Sequence, residues 1–270
     1  MSSPTLAQRT IPVSAYAGLR AHRVLERNVL VYRRIWKVFV SGFAEPVFYL
    51  LAIGVGVGAL VGDITLPDGQ LVSYTAFVAP ALLGASAMNG AIYESTFNIF
   101  FKLKYGKIYD AMLATPLRPV DIAVGEISWS LIRGGAYAVG FIVVMLGFGL
   151  VESWWAVLAV PAALLIGLAF GSVGMAATSF MRSWQDFDMV QLVSLPLFLF
   201  SATFYPLDVY PPVIQQFTRI SPLYHGVELI RGLTIGVLDW TMIGHTAFLL
   251  AMAAIGMTIA ARRLEKLLLT

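Results

Sequence analysis

Ionisable side chains are scarce in this chain, and their positions decide what chemistry is open to it. Glu45, Glu94, Glu126 and Arg133 interrupt or border long apolar stretches. A charge placed in hydrocarbon is costly, so each such group needs a partner, a wet cavity or a function. Glu126 and Arg133 are seven apart and so share one helical face. Arg133 is the deeper of the two and calls for a carboxylate or a polar cavity, with Glu94 and Glu126 as the nearest acids. A structural ion pair is the favoured reading over a substrate contact. His225, Glu228 and Arg231 follow one another at intervals of three, a slowly drifting polar stripe on one helix. It reads as a local hydrogen-bond network or, more sharply, as a polar gate at an external mouth. Covalent chemistry finds little support. The chain has no Cys, which excludes disulfides and thiolate metal sites. Its three His (His22, His225 and His245) are scattered and lack metal-ligand spacing.

The elements that must hold these groups are apolar and long. Hydrophobic residues make up 59% of the 270 residues and charged ones 12%, more apolar surface than a soluble domain can hide. A helix of about 20 mostly apolar residues crosses a bilayer. Six such stretches are predicted: roughly Trp36–Val61, Leu71–Ile99, Ile122–Leu150, Trp154–Met181, Met189–Tyr205 and Trp240–Ala261. The fold class expected is all-α: a polytopic membrane protein with six transmembrane helices. Residues 1–35 are expected to be an N-terminal cytoplasmic segment, 36–261 the membrane domain and 262–270 a basic cytoplasmic tail. The first 35 residues are rich in Arg and lack the apolar core of a cleaved signal.

Basic residues fall on alternate loops. Fifteen of the eighteen Lys and Arg lie before the first stretch, after the second, after the fourth and in the tail. The other side holds Arg219 and Arg231, and Arg133 sits inside the third stretch. Positive charge marks the cytoplasmic face, so both termini are expected inside a plasma or inner membrane. The same clustering beside apolar spans explains the net charge of +3 by orientation and anionic lipid, so no nucleic-acid partner is expected.

Three further features refine this picture. Residues 14–37 alternate Arg with Leu19, Val24, Leu25, Val29, Tyr32 and Trp36, the pattern of a basic amphipathic helix in the membrane interface. Gly106 permits a bend and Pro116 must end a helix, which leaves a short helix near 107–114 between the second and third spans. Its Lys107, Ile108, Tyr109, Met112 and Leu113 are the residues offered to a soluble partner, with Ile108, Met112 and Leu113 to be buried and Lys107 and Tyr109 at the rim. Asp121 is expected to cap the third span. Between 206 and 239, prolines break the chain into two short helices, the second opening on Ser221-Pro222 as N-cap and first turn. They are too short to span but apolar enough to re-enter. Gly54, Gly58 and Gly62 share a face of the first span and permit close helix packing, within the chain or against a second copy.

Energy for pumping must come from elsewhere. The chain has no G-x-x-x-x-G-K-[ST] phosphate loop; Gly106-Lys107 is the nearest fragment, and Phe101 stands where the first Gly is required. No regular series of membrane carboxylates provides a proton relay. An active transporter built on this chain needs an ATPase on another chain. A secondary transporter would need its own ion site and often an inverted repeat. A membrane-embedded enzyme would need clustered catalytic groups, and a purely structural subunit needs no cytoplasmic coupling helix.

From about residue 20 onward the chain resembles the permeases of type-2 ATP-binding-cassette (ABC) exporters, close to the nodulation-protein J branch. The resemblance rests on Glu26-Arg27-Asn28-Val29-Leu30-Val31-Tyr32, Glu45-Pro46-Val47-Phe48-Tyr49-Leu50 and Tyr109-Asp110-Ala111-Met112-Leu113-Ala114-Thr115. It continues in Asp121-Ile122-Ala123-Val124-Gly125-Glu126 and in the run from Ser221 to Arg231. The resemblance implies an N-terminal elbow helix, six spans, a coupling helix after the second and re-entrant external helices before the last. It also implies two permease subunits, identical or paralogous, working with two ATPase subunits that carry ATP and Mg. No cofactor is expected on this chain. Such permeases are associated with export of lipo-oligosaccharides, and relatives with hydrophobic drugs or polyketides.

Overall fold

The computed structural model describes residues 20–34, 44, 47–66 and 69–269. Glu45 and the first half of the expected first span lie outside the described residues. Helix α1 is Ala21–Arg34, inside the predicted amphipathic stretch. The apolar helix α2, Val47–Val61, has π-helical pitch over Leu50–Val57. It ends at Gly62, whose φ of 76° a side chain would resist. Beyond it, β1 (Asp63–Thr65) pairs antiparallel with β2 (Leu71–Ser73).

Helix α3, Tyr74–Tyr105, starts on a Ser73 cap whose Oγ accepts from the Ala76 N–H at 3.2 Å. Its far end is not regular α-helix. Glu94–Asn98 and Phe101–Tyr105 are π-helical, with one extra residue in each hydrogen-bonded turn. Lys107, at a φ of 44°, then turns the chain into the short helix α4, Ile108–Leu113. Helix α5 spans Pro119–Gly147. Asp121 is not its N-cap: the helix starts two residues earlier on Pro119, and Asp121 reaches back to accept the Arg118 N–H at 3.0 Å. Proline at the first position needs no hydrogen bond there, which moves the start.

Helix α6 covers Trp154–Thr178, and α7 covers Phe187–Leu199. Of the fifth expected span, Met189–Tyr205, only Met189–Leu199 is helical, as part of a 13-residue helix that starts at Phe187. Residues 200–205 form bends, with Ala202 at a φ of 54°. Helices α8 (Pro212–Ile220) and α9 (Pro222–Ile235) occupy the proline-broken segment. The Ser221 hydroxyl does not cap α9; it meets Ser201 Oγ at 2.5 Å. Helix α10, Thr241–Leu269, closes the chain.

Four of these helices (α3, α5, α6 and α10, the last over Thr241–Leu267) are long and apolar enough to cross a membrane; among the described residues no other is. α6 is the centre, packed on α3, α5, α9 and α10. The main core runs from the β-hairpin end through Phe77, Met88, Phe141, Ile166 and Ile230. A second core gathers at the α4 end around Val24, Ile99, Tyr109, Met112, Ile127 and Leu264.

The expected glycine face on α2 is used within the chain. Thr75 Oγ1 donates to the Gly54 carbonyl at 2.6 Å, and a Cβ at Gly58 would lie 2.7 Å from the same hydroxyl. Gly58→Ala must displace Thr75 and lose that bond. The expected cost is about 1–3 kcal/mol of overpacking, read as a lowered melting temperature in detergent. An unchanged melt would mean that α2 is not seated on α3 in this way.

Candidate functional site

At the α4 end, four helices meet around two buried acids. Glu126, on α5, is 2% exposed. Its Oε2 accepts from Lys102 Nζ of α3 at 2.7 Å and from Asn28 Nδ2 of α1 at 3.1 Å. α1 comes close enough because Gly125 has no side chain: a Cβ there would lie 2.6 Å from Val24 Cβ. The Arg20 guanidinium adds a bond to the Pro116 carbonyl, tying the start of α1 to the loop after α4. One and two turns along α5, Trp129 packs its ring 4.9 Å from that of Tyr32, and Arg133 pairs with Glu94 at 2.5 Å. Arg133 also donates to Tyr32 Oη at 3.0 Å. Of the two acids the sequence offers, Glu94 takes Arg133 and Glu126 takes Lys102. Each charge thus has its counter-charge at hydrogen-bond distance, the condition under which buried charges persist.

α4 lies over this junction. Tyr109 and Met112 face inward and are buried, Ile108 and Leu113 are half-buried, and Lys107, Asp110, Ala111 and Ala114 are exposed. Tyr109, expected at the rim, is instead the most deeply buried residue of the helix. Burial pushes its phenol well above the ordinary value, and the negative Glu126 beside it pushes in the same direction. The face left for a partner is therefore the opposite one, around Asp110 and Ala111.

At the other end, the stripe His225–Glu228–Arg231 divides between two neighbours. Arg231 is buried: it pairs with Glu228, donates to the carbonyls of Phe77 (3.3 Å) and Ala202 (2.7 Å), and lies 3.8 Å over the Phe77 ring. It binds α9 to α3 and to the bends after α7. His225 turns instead to α10, with Nδ1 2.7 Å from His245 Nδ1 and its ring stacked 4.0 Å from Phe248. That pairing of histidines twenty residues apart carried no local sequence signal. No group of three metal-binding side chains occurs among the described residues.

Between α3, α6 and α7 a pocket of about 750 Å³ opens, walled by Phe170, Val173, Phe180, Val193 and Leu197, with Arg182 at one end. The Asp186 carboxylate beside Arg182 is engaged, accepting from the backbone N–H groups of Arg182 and Ser183. α7 is anchored at both ends: Leu197 and Phe198 pack against the main core, and aromatic rings hold its base. Phe187 stacks 4.1 Å from Phe97 and lies 5.1 Å edge-on from Phe100, both on the π-helical end of α3.

A bundle of apolar helices with its costly charges paired inside, a short helix capping one end and two short helices tucked into the other, is the architecture of a membrane permease. Residues 21–235 match the ABC-2 type transporter family, and the chain belongs to it. It is 35% identical over 224 residues to nodulation protein J of Rhizobium leguminosarum bv. viciae, covering 81% of this chain and 83% of that one. It is 32% identical over 216 residues to nodulation protein J of Rhizobium meliloti, covering 79% and 80%. The inner membrane transport permease YadH of Escherichia coli K12 is 24% identical over 215 residues, covering 76% and 80%. The protein is thus an ABC transporter permease of the nodulation-protein-J-like branch, a transport subunit rather than an enzyme.

Proposed function

We propose that this chain is the membrane subunit of an ATP-driven exporter, in which a separate ATP-binding-cassette chain binds ATP and Mg and docks on α4. The observation that carries the reading is the two-sided build of α4. Its inner face is locked into the permease's own core through Tyr109 and Met112, and its outer face is bare. A rigid knob with an open face suits a helix that receives force from outside the membrane. The lack of a phosphate loop in the sequence supports the same division of labour.

The remaining parts follow the charge pattern. Six crossings, with α2 completing the first and α7 serving as the fifth, place both termini and α4 inside, and the hairpin, α8 and α9 outside. α1 is the elbow in the inner interface. The cargo is amphipathic, a lipo-oligosaccharide or a hydrophobic drug or polyketide, and the apolar pocket beside α7 with Arg182 at its rim suits such a molecule. A second permease, identical or paralogous, and lipid cover the outward faces.

Two measurements test this. Asp110→Arg combined with Ala111→Arg should abolish co-purification of the ATPase while leaving the permease melt unchanged, because both side chains point into solvent. Wild-type co-purification would leave α4 a passive connector. Because the chain has no native Cys, Lys107→Cys and Asp63→Cys report sidedness cleanly. An impermeant thiol reagent applied to intact cells should label position 63 and spare 107; the reverse pattern overturns the orientation.

A further inference from the structure

The seam between α9 and α10 is fastened by a bond that exists only in some protonation states. His225 Nδ1 and His245 Nδ1 stand 2.7 Å apart, with their ring centres at 5.0 Å. Two ring nitrogens attract at that distance only when one carries a hydrogen and the other a lone pair. The contact therefore holds one donor and one acceptor, and the accepting ring is neutral. A first added proton leaves the bond intact, because one imidazolium can still donate to one neutral ring. A second proton removes the last acceptor. Two N–H groups and two positive charges then face each other, and the contact turns from attraction to repulsion.

The seam is also a wall of the apolar pocket beside α7. Pro222, three residues before His225 on α9, and Met252, seven residues after His245 on α10, both line that space. Pro222 borders as well an adjoining one of about 550 Å³ between α7 and α8. Ser221 and Arg231 tie α9 to the bends after α7 and to α3, so α10 is the neighbour from which α9 can part. We propose that His225 and His245 form a proton-operated clasp on the pocket wall, which opens the seam between α9 and α10 when both rings become imidazolium. With α9 outside, as the proposed orientation has it, the external medium supplies the proton.

The surroundings leave the decision to the two rings. Both are half-buried, so neither is sealed in the core. Tyr224 sets its ring 5.7 and 5.9 Å from theirs and holds no charge at neutral pH. Glu228 on α9 is engaged by Arg231. Asp239, ahead of α10, accepts from the Thr241 N–H. Arg219, at the end of α8, is the remaining charged neighbour. α6, which backs both helices, has no ionisable residue, and α3 has none between Tyr74 and Tyr93.

The test uses the full chain in lipid nanodiscs, with bimane on Met252→Cys and iodide as an aqueous quencher. Both faces of a nanodisc share one pH, so the result does not depend on orientation. Lowering the pH from about 8 to about 5, the range in which histidine titrates, should expose the bimane in a single step. At the acid end the open fraction should grow by up to about tenfold per pH unit, the limit for uptake of one proton. His225→Asn combined with His245→Asn keeps a donor and an acceptor but cannot titrate, and should stay shielded throughout. Glu228 and Asp239 remain in that variant, so any effect of theirs appears in both. His245→Ala removes the bond and should be as open at pH 8 as the parent is at pH 5. A flat parent curve, an equal step in the double Asn variant, or a shielded His245→Ala at pH 8 each overturns the clasp. A wrong orientation shows elsewhere, in the labelling of positions 63 and 107.

Discussion

Arg133→Ala is expected to cost this permease about 3–5 kcal/mol of stability, because removing one partner leaves a buried charge uncompensated. Glu94 is 3% exposed, and among the described residues its counter-charge at bonding distance is Arg133. The substitution also strips Tyr32 Oη of the Arg133 donor, so α1 loosens from α5 at the same stroke. Melting of the purified protein in detergent micelles measures the loss. Adding Glu94→Gln to Arg133→Ala should recover part of it, since the stranded charge is gone. Equal damage from the single and double variants would show that Arg133 serves packing against Tyr32 rather than charge balance.

Arg231 carries the second large effect. It is 6% exposed and joins three elements through the Phe77 and Ala202 carbonyls and Glu228. Arg231→Leu keeps the bulk but leaves two carbonyls short of a donor. Hydrogen bonds to charged groups are worth about 1.5–3 kcal/mol each, so the loss should reach about 3 kcal/mol. The location of the damage is the sharper prediction. Ala202 sits in a left-handed conformation that L residues resist, and its carbonyl is held by the guanidinium. Amide exchange over residues 200–205 should therefore accelerate far more than exchange in α10. Glu228→Gln should do much less, because Glu228 is partly in solvent, its side chain 32% exposed. If Glu228→Gln matches Arg231→Leu, the ion pair rather than the carbonyl bonds secures the segment.

Lengths and breaks were legible in the sequence; facing was not. The long apolar runs located α3, α5, α6 and α10, although α3 runs to Tyr105 and α10 to Leu269, well past the expected Ile99 and Ala261, and Pro116, Pro212 and Pro222 marked where the short helices begin or end. Proline and hydropathy are local signals, and they suffice for element limits. A helix that is apolar all round carries no moment to say which side turns inward. Glu94, Glu126 and Arg133 stood out as costly, yet the division of Arg133 to Glu94 and Lys102 to Glu126 depends on how far α3 has rotated by residue 102. That rotation is set by two π-helical segments with no sequence mark of their own. The same gap hid the direction of Tyr109, which periodicity places on α4 without saying which side of α4 has protein under it. Meetings such as His225 with His245, or Asn28 with Glu126, are products of packing between distant segments.

The brevity of α7 bears on the lipid as well as on the protein. Thirteen residues at 1.5 Å each rise only about 20 Å, against a hydrocarbon thickness of about 30 Å. Its outward side chains (Met189, Leu192 and Leu195) ask for lipid contact over that reduced height alone. With α7 as the proposed fifth crossing, a bilayer beside it would thin or pucker, at a modest cost per ångström of mismatch. On the proposed export reading, a polar head group carried past this helix would cross less oil than elsewhere on the molecule, and the permease would itself reshape the barrier where its apolar pocket opens.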